Sequence, residues 1–182
     1  ILIGLVGSEM CIRDRYGEQV REDIPLFDAF YRQEFQQAKA FCGFTPKARA
    51  AVEACKAAGH RVALATNPIF PAVATESRIR WAGLAPETFA WYTTYENIGY
   101  CKPNPDYYRE ILRYLGCRAE DCLMVGNDVE EDMMAAQAAG LSVFLLTDCL
   151  LNRKEKDISS YPQGDFDALL AFVEEWGGEA SL

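Results

Sequence analysis

The sequence predicts an α/β fold in which a parallel β-sheet carries helices on both faces. From residue 44 onward, short apolar runs of strand length alternate with longer segments whose apolar residues recur at helical spacing. The short runs are continuously apolar, as parallel strands covered on both faces are expected to be. Together with short connecting loops, this alternation implies one sheet between two helical layers.

The predicted helices carry start and stop residues. Thr45 is a candidate N-cap followed by Pro46, and Asn104 is a candidate N-cap followed by Pro105. A glycine closes four of the five predicted segments, as expected where a helix must end. These segments are residues 45–59, 71–83, 104–116, 129–140 and 165–176.

The predicted strands are four short runs of aliphatic or aromatic residues, namely 61–66, 89–94, 122–126 and 142–147. Residues 149–164 are polar and rich in turn formers, which favours a surface loop. Residues 26–41 carry aromatic side chains at helical spacing, which is typical of a packing surface. In open parallel sheets, ligands bind beyond the carboxyl ends of the strands, so the residues that follow each strand are the candidates for a site.

Composition narrows the possible functions. The chain has 182 residues, half of them apolar and a quarter charged, which suits one α/β domain. Its net charge of −9 argues against nucleic acid or an anionic membrane as the main partner. An anionic substrate would need a local cation for the same reason. The seven cysteines have irregular spacing, which favours reduced thiols in a cytoplasm, and no run reaches transmembrane length.

Polar side chains follow three of the predicted strands. Thr66 and Asn67 end the first strand, and a hydroxyl and an amide can donate hydrogen bonds to phosphate oxygens. Lys102 follows the second strand and can place a positive charge on an anion. Asp128 and Asp132 follow the third, four residues apart at a helix start, where both can face one site. Carboxylate oxygens are suited to Mg²⁺.

Each of these features has an ordinary explanation when it is taken alone. Thr-Asn is a common turn pair, most lysines are exposed, and an acidic first turn stabilises a helix. Four acids lie within residues 128–132, and their repulsion must be offset by water or by a bound cation. A hydroxyl, a lysine and an acid pair at successive strand ends supply what phosphoryl transfer needs: anion donors, a fixed cation and a metal site.

Residues 44–147 resemble the core of the haloacid dehalogenase-like hydrolases, a family with a Rossmann-like sheet whose members are mostly Mg²⁺-dependent phosphatases. Thr66 at the end of "RVALAT" is similar to the second motif of the family, and Lys102 in "CKPNPDYY" is similar to the third. "MVGNDVEEDMMAA" is similar to the fourth, whose acids bind Mg²⁺. The resemblance implies catalytic roles for Thr66 and Lys102, with Asn67 as a further phosphate-binding residue. The implied substrate is a small phosphorylated metabolite.

The implied metal ligands are Asp128 and Asp132. Many members of the family carry the first acid directly after the glycine of this motif, where the present chain has Asn127. The spacing of the two aspartates still fits one form of the motif. Either of them is therefore a candidate for the direct ligand.

The first motif of the family, a strand that ends in Asp-x-Asp and supplies the nucleophile, does not precede Thr66. The one Asp-x-Asp, Asp165 to Asp167, opens a helix and is interpreted as a helix cap. Residues 1–15 include "GSEMCIRDR", which resembles translated sequencing-adapter sequence.

We therefore expect three parts in the chain: an artefactual segment, 1–15, a remnant of a helical cap, 16–43, and an α/β core, 44–182. The run "ILIGLV", residues 1–6, is expected to take the place of the first strand.

These observations favour a truncated phosphatase that is inactive as written. The alternative is a non-catalytic module that binds a phosphometabolite or a protein partner. A receiver domain of a signalling pathway also uses acids, threonine and lysine on a parallel sheet. Its phosphoacceptor aspartate should end a strand between the acid pair and the threonine, whereas the order here is threonine, lysine, acids.

Overall fold

The computed structural model describes residues 17–176. The prediction that "ILIGLV" replaces the first strand falls on residues 1–6, outside the described range. The described α-helices are α1 (Ile24–Arg32), α2 (Pro46–Ala57), α3 (Ala72–Trp81), α4 (Pro105–Leu115), α5 (Ala135–Ala138) and α6 (Phe166–Trp176), with a π-helical stretch, Val129–Met134, that runs directly into α5. From residue 44 onward, the helices begin and end within two residues of their predicted bounds when the π-helical stretch and α5 are taken together. The aromatic segment 26–41 is not one helix, because α1 ends at Arg32.

The predicted capping residues act as expected. Thr45 Oγ1 accepts a hydrogen bond from Lys47 N at 3.3 Å, and Asn104 Oδ1 accepts one from Asp106 N at 2.9 Å. Asp165 Oδ1 accepts one from Ala168 N, which confirms that Asp165 caps α6. Short 3₁₀ helices cover Glu18–Asp23, Glu34–Phe41, Pro86–Thr88 and Ala119–Asp121.

All strand pairs are parallel, as predicted, but they form two separate groups. In the first, β1 (Ala63–Leu64) pairs with β2 (Trp91–Tyr92). In the second, β3 (Leu123–Gly126) pairs with β4 (Ser142–Leu146), and β4 pairs with β5 (Gln163–Gly164). The loop predicted over 149–164 therefore ends in a short edge strand. Both β1 and β2 are shorter than predicted.

Helices cover both faces of the sheet, as the apolar strands predict. On β4, Val143 and Leu145 belong to a core with α4, the π-helical stretch and α5. Phe144 and Leu146 point to the opposite face, where they pack with residues of α2 and α6. Adjacent strand residues thus enter two different cores.

The aromatic segment near the N-terminus packs on α3. The Phe35 ring stacks on Trp81 with centroids 5.4 Å apart, and Gln36 Nε2 donates a hydrogen bond to Ser77 Oγ. On α1, by contrast, Leu26 and Phe27 are 68% and 57% exposed. Among the described residues, no helix combines the length and the apolar character needed to cross a bilayer.

Candidate functional site

Lys102 is buried and forms an ion pair with Asp132. The distance from Nζ to Asp132 Oδ1 is 2.6 Å, and the two side chains are only 6% and 8% exposed. The ammonium group also lies over the rings of Tyr107 and Tyr108, 5.7 and 5.8 Å from their centroids. The sequence alone left open an ordinary exposed lysine, and this burial excludes it. The lysine is instead a fixed point charge.

The second carboxylate oxygen of Asp132 holds the start of the π-helical stretch. Asp132 Oδ2 accepts hydrogen bonds from Asn127 N at 3.0 Å and from Asp128 N at 3.1 Å. This carboxylate lies directly over Gly126, where a Cβ atom would overlap it. The glycine that ends β3 is therefore required for the acid to approach the main chain.

Asp128 is an N-cap and a partner for arginine. Its Oδ1 accepts hydrogen bonds from Glu130 N and Glu131 N at 3.0 and 2.9 Å, and its Oδ2 accepts one from Arg153 Nη1 at 2.5 Å. Burial acts to raise the pKa of Asp128, but the two amides and the guanidinium outweigh it and lower the pKa below its ordinary value. Asp128 is therefore charged at neutral pH.

Arg153 is a site residue that sequence reasoning missed. It lies in the predicted surface loop, 25 residues from Asp128 in sequence, and its side chain is 62% exposed. Its neighbour Lys154 binds Glu130 at 2.8 Å. The sequence does show two adjacent basic residues, Arg153 and Lys154, in a loop that follows a predicted strand.

Thr66 is anchored through its main chain. Its N–H donates to Thr93 Oγ1 at 2.9 Å, and its carbonyl accepts from the hydroxyls of Thr93 and Tyr107 at 2.6 and 2.7 Å. Thr93 and Tyr107 are both fully buried. Within residues 17–176, the hydrogen bonds of Thr66 all involve its main chain. Asn67 Oδ1, next in sequence, is buried without a partner in this range.

Tyr107 joins the predicted residues into one cluster. Its hydroxyl binds the Thr66 carbonyl while its ring lies under the Lys102 ammonium group. Lys102 in turn binds Asp132, whose carboxylate accepts from the Asp128 amide. The structure therefore brings the strand-end residues together at one edge. Sequence reasoning did not assign Tyr107 a role, although "PDYY" sits where a first helical turn would face that edge.

The carboxylates fit a divalent cation only in part. Both oxygens of Asp132 are engaged, one by Lys102 and the other by two main-chain amides, whereas Asp128 Oδ2 is bound by an exposed arginine. Across residues 17–176, no group of three or more potential ligand side chains surrounds a common point. Mg²⁺ needs more oxygen ligands than one carboxylate supplies, so the described residues alone do not form a complete magnesium site.

The sequence model for the haloacid dehalogenase-like hydrolase family matches residues 8–140. A curated relative, the glyceraldehyde 3-phosphate phosphatase of Methanothermobacter thermautotrophicus, is 39% identical over 64 residues. That alignment covers 35% of the present chain but only 28% of the phosphatase.

Solved structures share the fold. The HAD phosphatase of Thermococcus onnurineus superimposes with a TM-score of 0.57 at 18% identity, over 74% of this chain and 59% of that one. CbbY of Rhodobacter sphaeroides, solved in complex with phosphate, gives a TM-score of 0.57 at 22% identity, over 74% of this chain and 63% of that one. The likeness to both extends across most of the described chain and supports its α/β assignment.

Proposed function

The chain belongs to the haloacid dehalogenase-like hydrolases, and on that basis we propose that it is the larger part of a Mg²⁺-dependent phosphatase of a small phosphorylated metabolite. The observation that carries this proposal is the buried pair between Lys102 and Asp132, which Tyr107 connects to the main chain of Thr66. A rigidly held cation suits a phosphate group, and rigid donors stabilise the charge that develops during phosphoryl transfer.

Each residue has a distinct proposed role. Thr66 and Asn67 bind phosphate oxygens, Lys102 neutralises their charge, and Asp132 orients Lys102. Asp128 is the metal ligand, because its Oδ2 is bound only by the exposed Arg153. Mg²⁺ would add positive charge beside the transferred phosphate. The remaining oxygen ligands and the carboxylate nucleophile come from outside the described residues.

We propose further that the chain as written does not turn over substrate. A covalent phosphoryl intermediate needs a carboxylate in line with phosphorus, and no Asp-x-Asp precedes Thr66. Residues 16–43 are proposed as the end of a helical cap, because α1 exposes apolar side chains while the following segment packs on α3. A cytoplasmic location is proposed from the free cysteines at the described positions.

The test is to restore the nucleophile. An upstream segment that contains an Asp-x-Asp strand is fused to residues 16–182. Hydrolysis of p-nitrophenyl phosphate in the presence of Mg²⁺ is then compared between this fusion and the 182-residue chain. We expect metal-dependent turnover in the fusion alone, abolished by Asp128→Ala or Lys102→Ala. Asp167→Asn is the matched control, because Asp167 forms an exposed ion pair with Lys47. Equal activity in both proteins would mean that the nucleophile is misassigned.

A non-catalytic phosphate-binding module is the second candidate. It is favoured by the engagement of every carboxylate oxygen of Asp128 and Asp132 within the described structure. Such a module would bind inorganic phosphate without Mg²⁺. Calorimetric titration of the chain as given, with and without Mg²⁺, separates this candidate from a phosphatase that needs the metal.

A further inference from the structure

Cys117 and Cys122 lie at the two ends of the short turn that connects α4 to β3. Cys117 N donates a hydrogen bond to the Leu112 carbonyl of α4 at 3.1 Å. Cys122 N donates to the Ala119 carbonyl at 3.1 Å, and the Cys122 carbonyl accepts from Ser142 N. The main chain is therefore fixed at both cysteines.

The turn brings the two thiols together. Arg118 donates through Nε and Nη2 to the two carboxylate oxygens of Asp121 at 2.8 and 2.9 Å, which closes the turn. The side chain of Cys117 forms a hydrogen bond with that of Cys122. Both thiols are free and half-buried. Two thiols at hydrogen-bond distance can form a disulfide once their side chains rotate, without a large movement of the main chain.

A cation lies against one of the two sulfur atoms. Arg61 precedes β1, and its Nη2 donates to Cys117 Sγ and to the Leu115 carbonyl, the latter at 3.1 Å. The second of these hydrogen bonds holds the guanidinium at the end of α4. A positive charge beside a cysteine favours the thiolate, which is the form that attacks electrophiles. Of the two sulfur atoms, Cys117 Sγ is therefore the one placed to attack.

Cys122 is suited to the complementary role. Burial raises the pKa of the Cys122 thiol to about 11, and the side chains of Cys117 and Asp121 act in the same direction. These effects outweigh the opposing effect of Arg61. At neutral pH, Cys122 is therefore a neutral thiol that can donate its S–H to Cys117 Sγ.

We propose that Cys117 and Cys122 are a modification site at which a hydroperoxide oxidises the two thiols to a disulfide. Cys117 Sγ attacks the terminal oxygen of the peroxide, the O–O bond breaks, and the alkoxide that leaves takes a proton from water. Cys122 Sγ then attacks the sulfenic acid formed at Cys117, the S–O bond breaks, and the hydroxide leaves with the Cys122 proton as water. Two electrons pass from the sulfur atoms to the peroxide, which is reduced to an alcohol and water.

The thiol pair is separate from the candidate phosphatase site. Cys122 directly precedes β3, whereas Asp128 and Asp132 follow it, so the thiols lie at the opposite end of this strand. Arg61 and Arg118 beside the thiols are exposed, so a small oxidant can reach the pair. In a reducing compartment, disulfides of this kind are usually transient and redox-sensing. The proposal is therefore independent of the proposed function.

The first test uses the intact chain without substitution. The reduced protein is treated with an equimolar amount of hydrogen peroxide, the remaining thiols are blocked with iodoacetamide, and a tryptic digest is analysed by mass spectrometry without reductant. Trypsin cleaves after Arg118, so the expected disulfide joins the peptides 114–118 and 119–153, and fragment ions distinguish Cys122 from Cys149 in the second peptide.

The exposed Cys149 is the internal control, because it lies in the same peptide as Cys122. We expect the disulfide at Cys122 and in the monomeric protein. The proposal would be overturned by a linkage at Cys149, by a disulfide found only between two molecules, or by peroxide oxidation without a disulfide at Cys117.

The second test separates the roles of the two sulfur atoms and of Arg61. In Cys122→Ser, peroxide should leave a sulfenic acid at Cys117 that dimedone traps, whereas in Cys117→Ser dimedone should not label Cys122. Arg61→Met should slow disulfide formation on the order of tenfold, because the cation beside the attacking sulfur is lost. Arg49→Met is the matched control, because Arg49 forms an exposed ion pair with Glu53.

Equal rates in Arg61→Met and Arg49→Met, or dimedone labelling of Cys122 instead of Cys117, would contradict the assigned roles. If a cysteine variant does not fold, the disulfide mapping of the unchanged chain decides.

Discussion

Lys102→Met is expected to lower the free energy of unfolding by about 3–5 kcal/mol, because it leaves a buried carboxylate without its cation. Lys102 and Asp132 are 6% and 8% exposed, so water cannot replace the lost partner. Methionine has nearly the length of lysine, so the change mainly removes the charge, which lies over Tyr107 and Tyr108. The two backbone amides that still bind Asp132 place the expected loss at the lower end of this range.

Urea denaturation followed by circular dichroism measures the effect. A domain of this size is stable by about 5–15 kcal/mol, so the midpoint should fall substantially while the slope stays constant. Lys47→Met is the matched control, because Lys47 pairs with Asp167 at 3.0 Å with side chains 48% and 72% exposed. It should leave the midpoint within experimental error.

A double variant tests whether the loss of stability comes from the unpaired charge of Asp132. Lys102→Met/Asp132→Asn should be more stable than Lys102→Met alone, because the second change removes the unpaired charge. If Lys102→Met and Lys47→Met have equal effects, the Lys102 pair is not buried in solution. The assembly of the candidate site would then be refuted, whatever the activity of the fusion protein.

Three further predictions concern the same edge of the sheet. Gly126→Ala should destabilise the fold by about 1–3 kcal/mol in urea, because its Cβ would overlap the Asp132 carboxylate, while Gly43→Ala, with open space around it, should not. The pKa of Asp128 is lowered on folding, so its stabilising contribution exists above the ordinary aspartate range and is lost as pH falls through the lowered pKa. In Asp128→Asn, the urea midpoint should therefore fall less on acidification than it does in the unchanged chain. Tyr107→Phe should cost about 1 kcal/mol in urea, because it removes the hydroxyl that donates to the main-chain carbonyl two residues beyond β1; an unchanged midpoint would argue against that hydrogen bond.

The helices could be predicted closely because their ends are local events. Thr45 and Asn104 bind amides within their own first turns, and Gly116 adopts the left-handed conformation that ends α4. The strands were less predictable, because a strand exists only where a neighbour pairs with it. Residues 61–66 have strand composition, yet only Ala63–Leu64 pair, on the one side where a partner is described.

The site residues also fall into two groups, those that the sequence predicts and those that it does not. Thr66, Lys102, Asp128 and Asp132 could be placed from sequence, because parallel strands bring the residues after them to one edge. The pairing of Arg153 with Asp128 could not, because it depends on how a loop folds back over the sheet. Side-chain partners that are distant in sequence follow from tertiary geometry and leave no local spacing to recognise.

Three of the four acids that follow β3 are compensated by side chains of the protein itself. Lys102 binds Asp132, Arg153 binds Asp128, and Lys154 binds Glu130, so each of these carboxylates has its own cation. The three cations differ in exposure, because Lys102 is buried while the side chains of Arg153 and Lys154 are 62% and 68% exposed. A metal ion that bound at this edge would therefore compete with Arg153 for Asp128, because the exposed guanidinium can return to water at little cost. It would not displace Lys102 from Asp132, because the buried ammonium group cannot reach water in the same way.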